Sequence, residues 1–429
     1  MRADTYYRAT ARPAPRFEPA SGTIDTEVAI VGGGYAGLCT ALSLQDRGTR
    51  DITILEAEQV GHGASGRNGG FVFAGYSLGE ASLLKQLGQE KAKRVYRASV
   101  DAVNLVRNRI RALDIACDLV DEGVLWCNWF RDEQVLRARQ RLVADAFGEQ
   151  WDFVAGERLR ELLGTARYSA ALHERNAFHL HPLDYANGLA RVVAGQGAAV
   201  HERSRVLKLA RDGAGWQLSL DGATVRAKHV VLACGGYLAG LRREVDRSVL
   251  PIATYVMATA PLGARMAGVF KATRAAVYDT RFAFDYYRPL ADTRILWGGR
   301  ISILDRAPAS VAKLLHRDLL AVYPQLRDVE VDFAWSGLMS YARHEMPQLR
   351  RLDDELWCAQ AFGGHGLATT TAGGEAIARA IHGDRTMLED VAPYGLPSAH
   401  KPIGFLAAQA TYTWLQYLDA RRAAREPSS

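Results

Sequence analysis

The chain has 429 residues, of which 48% are hydrophobic, 23% charged and 9% aromatic. These ordinary globular proportions exclude disordered, collagen-like and coiled-coil proteins. The 53 basic and 47 acidic residues give a net charge of +6 and form no basic run, so we predict no nucleic-acid partner. Forty glycines against 14 prolines indicate backbone turns and ligand-binding loops rather than flexible linkers.

The five cysteines are widely spaced and include no CxxC pair. This pattern is typical of reduced thiols and of neither a zinc site nor a disulfide framework. His179 and His181 have HxH spacing, but no third ligand is in view, so we predict no metal. The first 22 residues lack an apolar signal segment, and we expect no membrane-spanning helix and a cytoplasmic protein.

The first predicted elements form a βαβ unit. After an N-terminal arm, residues 28–31 are an apolar strand, and the leucines of residues 37–45 have helical spacing. Residues 51–56 are a second strand that ends in an acid. A strand, a glycine-rich turn and a helix in this order are typical of nucleotide-binding folds.

The remaining elements interleave helical and antiparallel segments. Residues 78 to about 170 are mainly helical and charged, with one strand-like piece at 123–130. Residues 184–200 are helical, and a buried strand at 228–233 ends in Cys234 and two glycines. Alternating strands dominate residues 249–338, and a strand, a glycine-rich turn and a helix close the chain. Because nucleotide-binding elements lie at the start, middle and end, a contiguous division into two domains is excluded.

The glycine-rich turn fits the GxGxxG pattern at Gly32, Gly34 and Gly37. The first glycine permits the tight turn, the second lets the backbone approach a pyrophosphate, and the third lets the helix pack close to the strand. Glu56 lies 19 residues beyond Gly37, at the end of the second strand, where its carboxylate can bind ribose hydroxyls. The acid also disfavours a 2′-phosphate on the ribose.

NAD and FAD both fit this unit, and the next segment separates them. Residues 62–70 (HGASGRNGG) offer backbone N–H groups with a hydroxyl, a guanidinium and an amide. These groups can continue along a long diphosphate toward an isoalloxazine ring. An NAD dehydrogenase normally continues here with further βα units.

Several motifs together resemble the D-amino-acid oxidase family of FAD-dependent amine oxidoreductases. They are VAIVGGGYAGLCTALSLQDRG with ITILEA, GHGASGRNGG, HERSRVLKL, AKHVVLACGGY and AFGGHGLATTTAGGEAIARAI. SGRNGG, YYRATA and WSGLMSYARHEMPQL are similar to a bacterial subgroup that oxidises γ-glutamylputrescine or L-pipecolate. The resemblance implies an α/β fold: a Rossmann-like FAD-binding domain interleaved with an antiparallel-sheet (α+β) substrate domain.

The resemblance also implies domain boundaries and cofactor contacts. The FAD-binding domain would comprise residues 25–77, 184–246 and 344–395, and the substrate domain residues 78–183 and 247–343. Residues 1–24 would form an arm, and residues 396–429 a C-terminal helix and tail. The implied FAD-binding residues are Gly32, Gly34, Tyr35, Ala36, Gly37, Glu56, Ala57, Gly63, Ala64, Ser65, Arg67, Asn68, Gly69, Gly70, Val206, Cys234, Gly235, Gly364, His365, Gly366, Leu367 and Ala368.

Four residues are candidates for contact with the substrate. Tyr286 matches a substrate-facing tyrosine of the family, and alternation places Arg288 on the same face of its strand. Arg300 follows on the next strand, and either arginine could hold a substrate carboxylate in bidentate fashion. His365 lies in the last glycine-rich turn. The alternatives are a core aromatic for Tyr286, salt bridges for the arginines and a packing role for His365.

Two departures from the family bear on the flavin. Residues 335–347 contain no cysteine for covalent attachment, so FAD is expected to be noncovalent. The lysine that assists oxygen reduction is replaced by Leu296 or its neighbour, and another family lysine by Ala368. The electron acceptor is therefore either oxygen or a respiratory carrier.

The preferred reaction is FAD-dependent oxidation of a carboxylated amine to an imine, with L-pipecolate giving the cyclic imine Δ1-piperideine-6-carboxylate. The alternatives are γ-glutamylputrescine or another polyamine derivative and, more remotely, a non-catalytic flavoprotein that binds RNA or a protein. Residues 403–424 are apolar and aromatic and precede basic residues. They either pack on the FAD-binding domain or lie peripherally at the inner membrane.

Overall fold

The computed structural model describes residues 4–303 and 306–426. The strands are β1 Gly22–Val31, β2 Ile52–Leu55, β3 Phe71–Val72, β4 Val124–Cys127, β5 Asp152–Ala155, β6 Ala170–Glu174, β7 Phe178–His179, β8 Ala199–His201, β9 Val206–Asp212, β10 Gly215–Leu220, β11 Ala223–Leu232, β12 Val249–Thr259, β13 Ala276–Asp279, β14 Asp285–Pro289, β15 Ile295–Ser302, β16 Val331–Ala342, β17 Gln348–Asp353 and β18 Leu356–Gln360. The helices are α1 Tyr6–Thr10, α2 Tyr35–Gln45, α3 Glu80–Ala112, α4 Gln134–Phe147, α5 Gly156–Leu163, α6 Pro182–Gly195, α7 Arg243–Ser248, α8 Pro308–Leu320, α9 Gly366–Ile381, α10 Thr386–Val391 and α11 Ile403–Arg425.

The first sheet has the strand order β17-β18-β11-β1-β2-β8, with β10 and then β9 added beside β11. From β18 to β8 its strands are parallel. Residues 28–31 are buried on both faces, because Val28 and Ile30 pack under α2 and α9 whereas Ala29 and Val31 face β10. This double burial explains the uninterrupted apolar run. The carboxyl ends of the parallel strands meet at one edge, where open α/β sheets bind ligands.

The second sheet has the order β16-β12-β15-β14-β13-β4-β6-β5. All its neighbouring strands are antiparallel except β13 and β4. One face packs on α8, and Tyr287 stacks there on Trp297 with the ring centroids 4.3 Å apart. The opposite face is available for the site. The α/β fold with two interleaved sheets agrees with the predicted class.

The packing of α3 differs from the predicted domain boundary at residue 78. Leu83, Val95 and Val103 of this helix share the hydrophobic core of Val28 and Ile30, under the first sheet. An amphipathic helix such as α3 is stabilised when its apolar face is buried. The residues of α3 therefore pack with the nucleotide-binding elements, and the other predicted boundaries stay a proposal.

The N-terminal arm is also packed more closely than its sequence indicates. Tyr6 and Tyr7 of α1 are buried, and Arg12 forms a 2.6 Å ion pair with Asp184 of α6. The strand β1 begins at Gly22, inside the predicted arm. At the other end of the chain, α11 is helical as predicted. None of the helices in the described ranges is long and apolar enough to cross a bilayer.

Candidate active site

A cavity of about 1470 Å³ lies between the carboxyl edge of the first sheet and the open face of the second. Its wall includes the turns that follow β1, β2, β11 and β18, the segment at residues 62–69, and residues of β12, β14, β15 and β16. The helix α11 covers part of the opening. The volume exceeds the range of roughly 300–1000 Å³ that is usual for a drug-sized ligand.

The glycine turn after β1 is shaped by close backbone contacts. Gly32 has φ +117°, and a Cβ added there would lie 2.5 Å from the carbonyl oxygen of Ala233. A Cβ on Gly37 would overlap the carbonyl oxygen of Gly32. The glycines therefore let α2 begin against the strand, and its first residues, Tyr35 and Ala36, line the cavity. A helix N-terminus in this position favours a bound phosphate.

The carboxylate of Glu56 lies beside this turn. Its Oε2 accepts a 2.7 Å hydrogen bond from the N–H of Gly33, and its Oε1 accepts one of 2.9 Å from the N–H of Glu58. Burial raises the pKa of Glu56, and the two N–H donors act in the opposite direction. The carboxylate is thus positioned at the end of β2, where it can accept hydrogen bonds from ribose hydroxyls.

The polar side chains of residues 62–70 form hydrogen bonds with nearby main-chain groups. Ser65 Oγ accepts a 3.0 Å hydrogen bond from the N–H of Tyr35, at the start of α2. Arg67 Nε donates to the His62 carbonyl at 2.9 Å. Asn68 Nδ2 donates to the carbonyls of Ala64 and Ser65, and its Oδ1 accepts from the N–H of Gly70. The segment is therefore held against the start of α2 along the cavity wall.

A second helix N-terminus faces the cavity from the last glycine-rich turn. The helix α9 begins at Gly366, directly after His365. The N–H of Gly364 donates to Ser77 Oγ at 3.1 Å, and Gly364, His365, Gly366 and Leu367 all line the cavity. The partial positive charge of this helix end favours negative charge on a bound group.

Most of the predicted site residues lie together in this wall. They are Gly32, Gly34, Tyr35, Ala36, Glu56, Ala57, Gly63, Ala64, Ser65, Arg67, Asn68, Gly69, Val206, Cys234, Gly235, Tyr286, Arg300, Gly364, His365, Gly366 and Leu367. Gly37, Gly70, Arg288 and Ala368 lie behind the wall instead. Gly37 packs α2 against the turn, whereas Ala368 is buried inside α9.

Tyr286 is part of the cavity wall, and its ring lies between two glycines. A Cβ added to Gly69 would lie 2.6 Å from the ring, and one added to Gly298, its cross-strand neighbour, would overlap it. Phe71 meets the ring edge-on, with the centroids 5.6 Å apart. The two flanking glycines therefore determine how far the tyrosine projects into the cavity.

The structure corrects the predicted role of Arg288. The residue faces the same side as Tyr286, but it is only 2% exposed and lies behind the wall. Its Nε donates to the Gly69 carbonyl at 2.6 Å, and its Nη2 donates to the Leu180 carbonyl at 2.9 Å. Because main-chain oxygens accept from the guanidinium N–H groups, Arg288 supports the glycine segment instead of binding a substrate carboxylate.

Arg300 also departs from its predicted role. The residue lines the cavity and has φ +59°, and its side chain reaches Asp318 of α8. Its Nε and Nη2 donate to the two carboxylate oxygens of Asp318, at 2.7 and 2.8 Å. A bidentate pair of this geometry uses the donor face that a substrate carboxylate would need. The prediction of a carboxylate fork at Arg300 is therefore wrong for this conformation.

His365 is uncharged at neutral pH. Burial lowers its pKa to about 4, and the nearby Arg139 guanidinium acts in the same direction. The imidazole meets Phe73 with the ring centroids 4.7 Å apart. Within the described residues, no cluster of three or more His, Cys, Asp and Glu is arranged to hold a metal ion. His179 faces Arg288, and His181 caps α6.

Sequence reasoning missed an aromatic wall beside His365. Tyr278 stacks with Phe73 at 5.7 Å and with Trp126 at 6.3 Å. Trp126 belongs to the strand predicted at 123–130, so its alternation was visible. Its partners come from distant parts of the chain, and no local pattern connects them. Glu80 and Arg139, which lie next to these rings, were missed for the same reason.

The residues fit FAD: a glycine turn and a helix N-terminus lie beside the Glu56 carboxylate, and a second helix N-terminus faces the same cavity. Residues 27–380 match the sequence model of the FAD dependent oxidoreductase family (DAO). The chain belongs to this family. It is an FAD-dependent enzyme of the amine and amino-acid oxidase type, which acts on C–N bonds.

Individual relatives extend over nearly the whole chain. The γ-glutamylputrescine oxidoreductase of Escherichia coli K12 is 32% identical over 383 residues, 89% of each chain. A probable oxidoreductase, OrdL, of Haemophilus influenzae is 28% identical over 438 residues, 97% of each chain. The solved glycine oxidase of Geobacillus kaustophilus has 21% identity and a TM-score of 0.72, over 87% of this chain and 99% of its own. These relatives lend no support to L-pipecolate as the substrate.

Proposed function

We propose that this enzyme oxidises the terminal amine of an extended substrate of the γ-glutamylputrescine type. The observation that carries the proposal is the occupation of both candidate carboxylate forks, Arg288 and Arg300, by partners within the protein. L-Pipecolate has its carboxylate on a carbon next to nitrogen and would need such a fork close to the reacting carbon. A long amine needs room instead, and the cavity of about 1470 Å³ extends beyond the proposed FAD-binding turns to the strands of the second sheet.

The aromatic residues of the wall also favour an extended amine. Phe71, Phe73, Trp126, Tyr278 and Tyr286 line the cavity. Ring faces bind the alkyl chain of such an amine and exclude water from it. The name of the Escherichia coli relative, which this chain matches over 89% of both lengths, points to the same substrate class.

We assign roles within this reaction to the predicted residues. FAD bound in this cavity would supply the hydride acceptor for oxidation of the amine to an imine. Gly32, Gly34 and Glu56 hold the adenosine diphosphate half, and the N-terminus of α9 stabilises negative charge at the other end. Tyr286 contacts the substrate, and the aromatic wall excludes water from it. The amine must be neutral to release a hydride.

Anaerobic mixing with candidate amines tests this proposal. γ-Glutamylputrescine is expected to bleach the visible flavin absorbance, with an apparent affinity at least tenfold tighter than that of L-pipecolate. Admitting oxygen afterwards tests the acceptor, because a slow return of the absorbance indicates a carrier other than oxygen. Bleaching by L-pipecolate at lower concentrations than γ-glutamylputrescine would contradict the proposal.

We further propose that α11 contacts an anionic membrane surface. Leu406, Trp414, Tyr417 and Leu418 follow helical spacing and are 40% to 65% exposed, so they form one outward apolar stripe. Arg421 and Arg425 continue the stripe. Trp and Tyr suit the headgroup region, and arginines nearby are attracted to anionic lipids.

The carboxylates near this stripe, those of Asp419 and Glu426, point toward the rest of the protein and not toward the solvent. Asp419 accepts a 2.7 Å hydrogen bond from the N–H of Phe282, and Glu426 accepts one of 3.0 Å from the N–H of Arg131. The outward face therefore carries cations beside its apolar residues. Such a face is complementary to anionic lipid and not to a second copy of itself. Its inner side, including Ala408 and Tyr412, lines the cavity.

Vesicle flotation measures this contact. The full chain is expected to float with vesicles of phosphatidylcholine and phosphatidylglycerol, and Trp414→Ser with Leu418→Ser should lower binding about tenfold or more. Val135→Ser, which changes an exposed residue of α4, is the control and should bind normally. Absence of flotation, or a concentration-dependent dimer that the double variant dissociates, would overturn the membrane proposal.

A further inference from the structure

An ion pair lies in the cavity wall beside the aromatic residues. Arg139 of α4 donates from Nη2 to Oε1 of Glu80, the first residue of α3, at 2.7 Å. The two side chains are 20% and 8% exposed, respectively, and both line the cavity. None of the FAD-binding or substrate roles assigned above uses this pair.

The guanidinium of Arg139 retains donor capacity. It lies over the ring of Trp126 at 4.5 Å and over that of Trp151 at 4.9 Å. Its Nε is buried without a hydrogen-bond partner among the described residues. A buried, unpaired donor costs free energy until an acceptor reaches it. Arg139 is therefore incompletely hydrogen-bonded, and its 20% exposed side chain, although not the buried Nε, is accessible in the wall of a ligand-sized cavity.

The titratable groups around the pair are neutral or further away. Glu174 of β6 accepts a 3.2 Å hydrogen bond from the N–H of Ala74, and burial raises its pKa to about 8, so it is mainly protonated at neutral pH. His365 is uncharged because its pKa is lowered to about 4. Tyr278, whose hydroxyl lies beside Arg139, is also neutral. Glu80 and Arg139 thus supply one negative and one positive charge here.

We propose that Glu80 and Arg139 form a subsite for a zwitterionic α-amino-acid head at the far end of the substrate. This inference rests on the proposed function, because it assigns the end of the extended amine opposite the reacting carbon. The substrate carboxylate accepts hydrogen bonds from the Arg139 guanidinium, and its ammonium approaches Glu80.

Charge compensation explains why a head with both signs fits best. A zwitterion presents an acceptor to Arg139 and a donor to Glu80, so neither buried charge loses its compensation. A plain diamine offers a second cation beside Arg139, and an N-acetylated diamine offers no charge at all. The pair therefore selects diamines that are acylated through the side chain of an amino acid.

A double variant provides the test. Removing one partner would leave a buried charge alone, so Glu80→Gln and Arg139→Gln are combined, and FAD content and circular dichroism verify the fold. We expect KM for γ-glutamylputrescine to rise at least tenfold, while KM for N-acetylputrescine changes less than twofold. Arg137→Gln is the control, because Arg137 stacks on Phe153 outside the cavity wall.

L-Glutamine separates this inference from the proposed function. It carries the same head without the terminal amine, so its binding can be followed as a perturbation of the flavin spectrum without turnover. The unmodified enzyme should bind it, and the double variant should bind it at least tenfold more weakly. Equal binding by both, or equal rises in KM for both acylated amines, would overturn the subsite. Failure of every amine to bleach the flavin would overturn the proposed function alone.

Discussion

Gly32→Ala is expected to yield a folded protein that retains almost no FAD. The residue has φ +117°, and the added Cβ would lie 2.5 Å from the Ala233 carbonyl oxygen and 2.9 Å from its carbonyl carbon. Both contacts are with backbone, so relief requires β1 and β11 to separate at the edge where we propose that the pyrophosphate binds. Because we expect FAD to be held without a covalent bond, the distorted turn should release it. The ratio of visible to ultraviolet absorbance after purification measures the loss.

Gly48→Ala is the matched control for this substitution. Gly48 also has a positive φ, of +94°, but an added Cβ meets nothing within 4 Å. The two variants share backbone strain of about 1–3 kcal/mol and differ in the contact with Ala233. Gly48→Ala should therefore retain FAD at a lower melting temperature. Equal flavin content in the two variants would show that the close contact in the turn is unimportant.

Gly298→Ala is expected to lower kcat/KM about 100-fold while FAD stays bound. Its Cβ would occupy the space of the Tyr286 ring, which lies across from it in the neighbouring strand. The Tyr286 ring cannot shift away from Gly298 because Gly69 packs against its other side, so the ring must move into the cavity or tilt. Displacement of a positioning group by about 1 Å can cost roughly 100-fold in rate. Anaerobic reduction of the flavin by γ-glutamylputrescine measures the effect without the oxygen step.

Gly195→Ala supplies the comparison for Gly298→Ala. Gly195 ends α6, and a Cβ added there meets nothing within 4 Å. Reduction of its flavin should proceed at the unmodified rate. If Gly298→Ala reduces its flavin equally fast, then the position of Tyr286 has no part in substrate binding, and its proposed contact with the substrate is wrong.

The cofactor site could be predicted from sequence because its elements are local. Gly32, Gly34 and Gly37 act within six consecutive residues, and Glu56 ends the next strand. Their separation along the sequence therefore predicts how close they lie in the folded structure. The same holds for the turn at residues 363–365, which directly precedes α9.

The substrate side was less predictable because its contacts are nonlocal. Strand alternation places Arg288 on the face of Tyr286, but the covering Gly69 and Leu180 lie more than 100 positions away. Similarly, the pairing of Arg300 with Asp318 depends on how α8 packs on the sheet. The alternation of side chains along a strand identifies the face of the sheet on which a residue lies. Only the folded structure shows which residues cover that face.

The interleaving of the two sheets has a consequence for biosynthesis. In the first sheet β1 pairs with β11, β11 pairs with β18, and the second glycine-rich turn follows β18. The turn to which we assign the pyrophosphate is thus completed by contacts about 200 residues away along the chain, such as that of Gly32 with Ala233. Contacts of such long sequence separation form slowly and late in folding. A nascent chain therefore acquires a complete FAD site only after its last glycine-rich turn has left the ribosome, and cofactor loading should be post-translational.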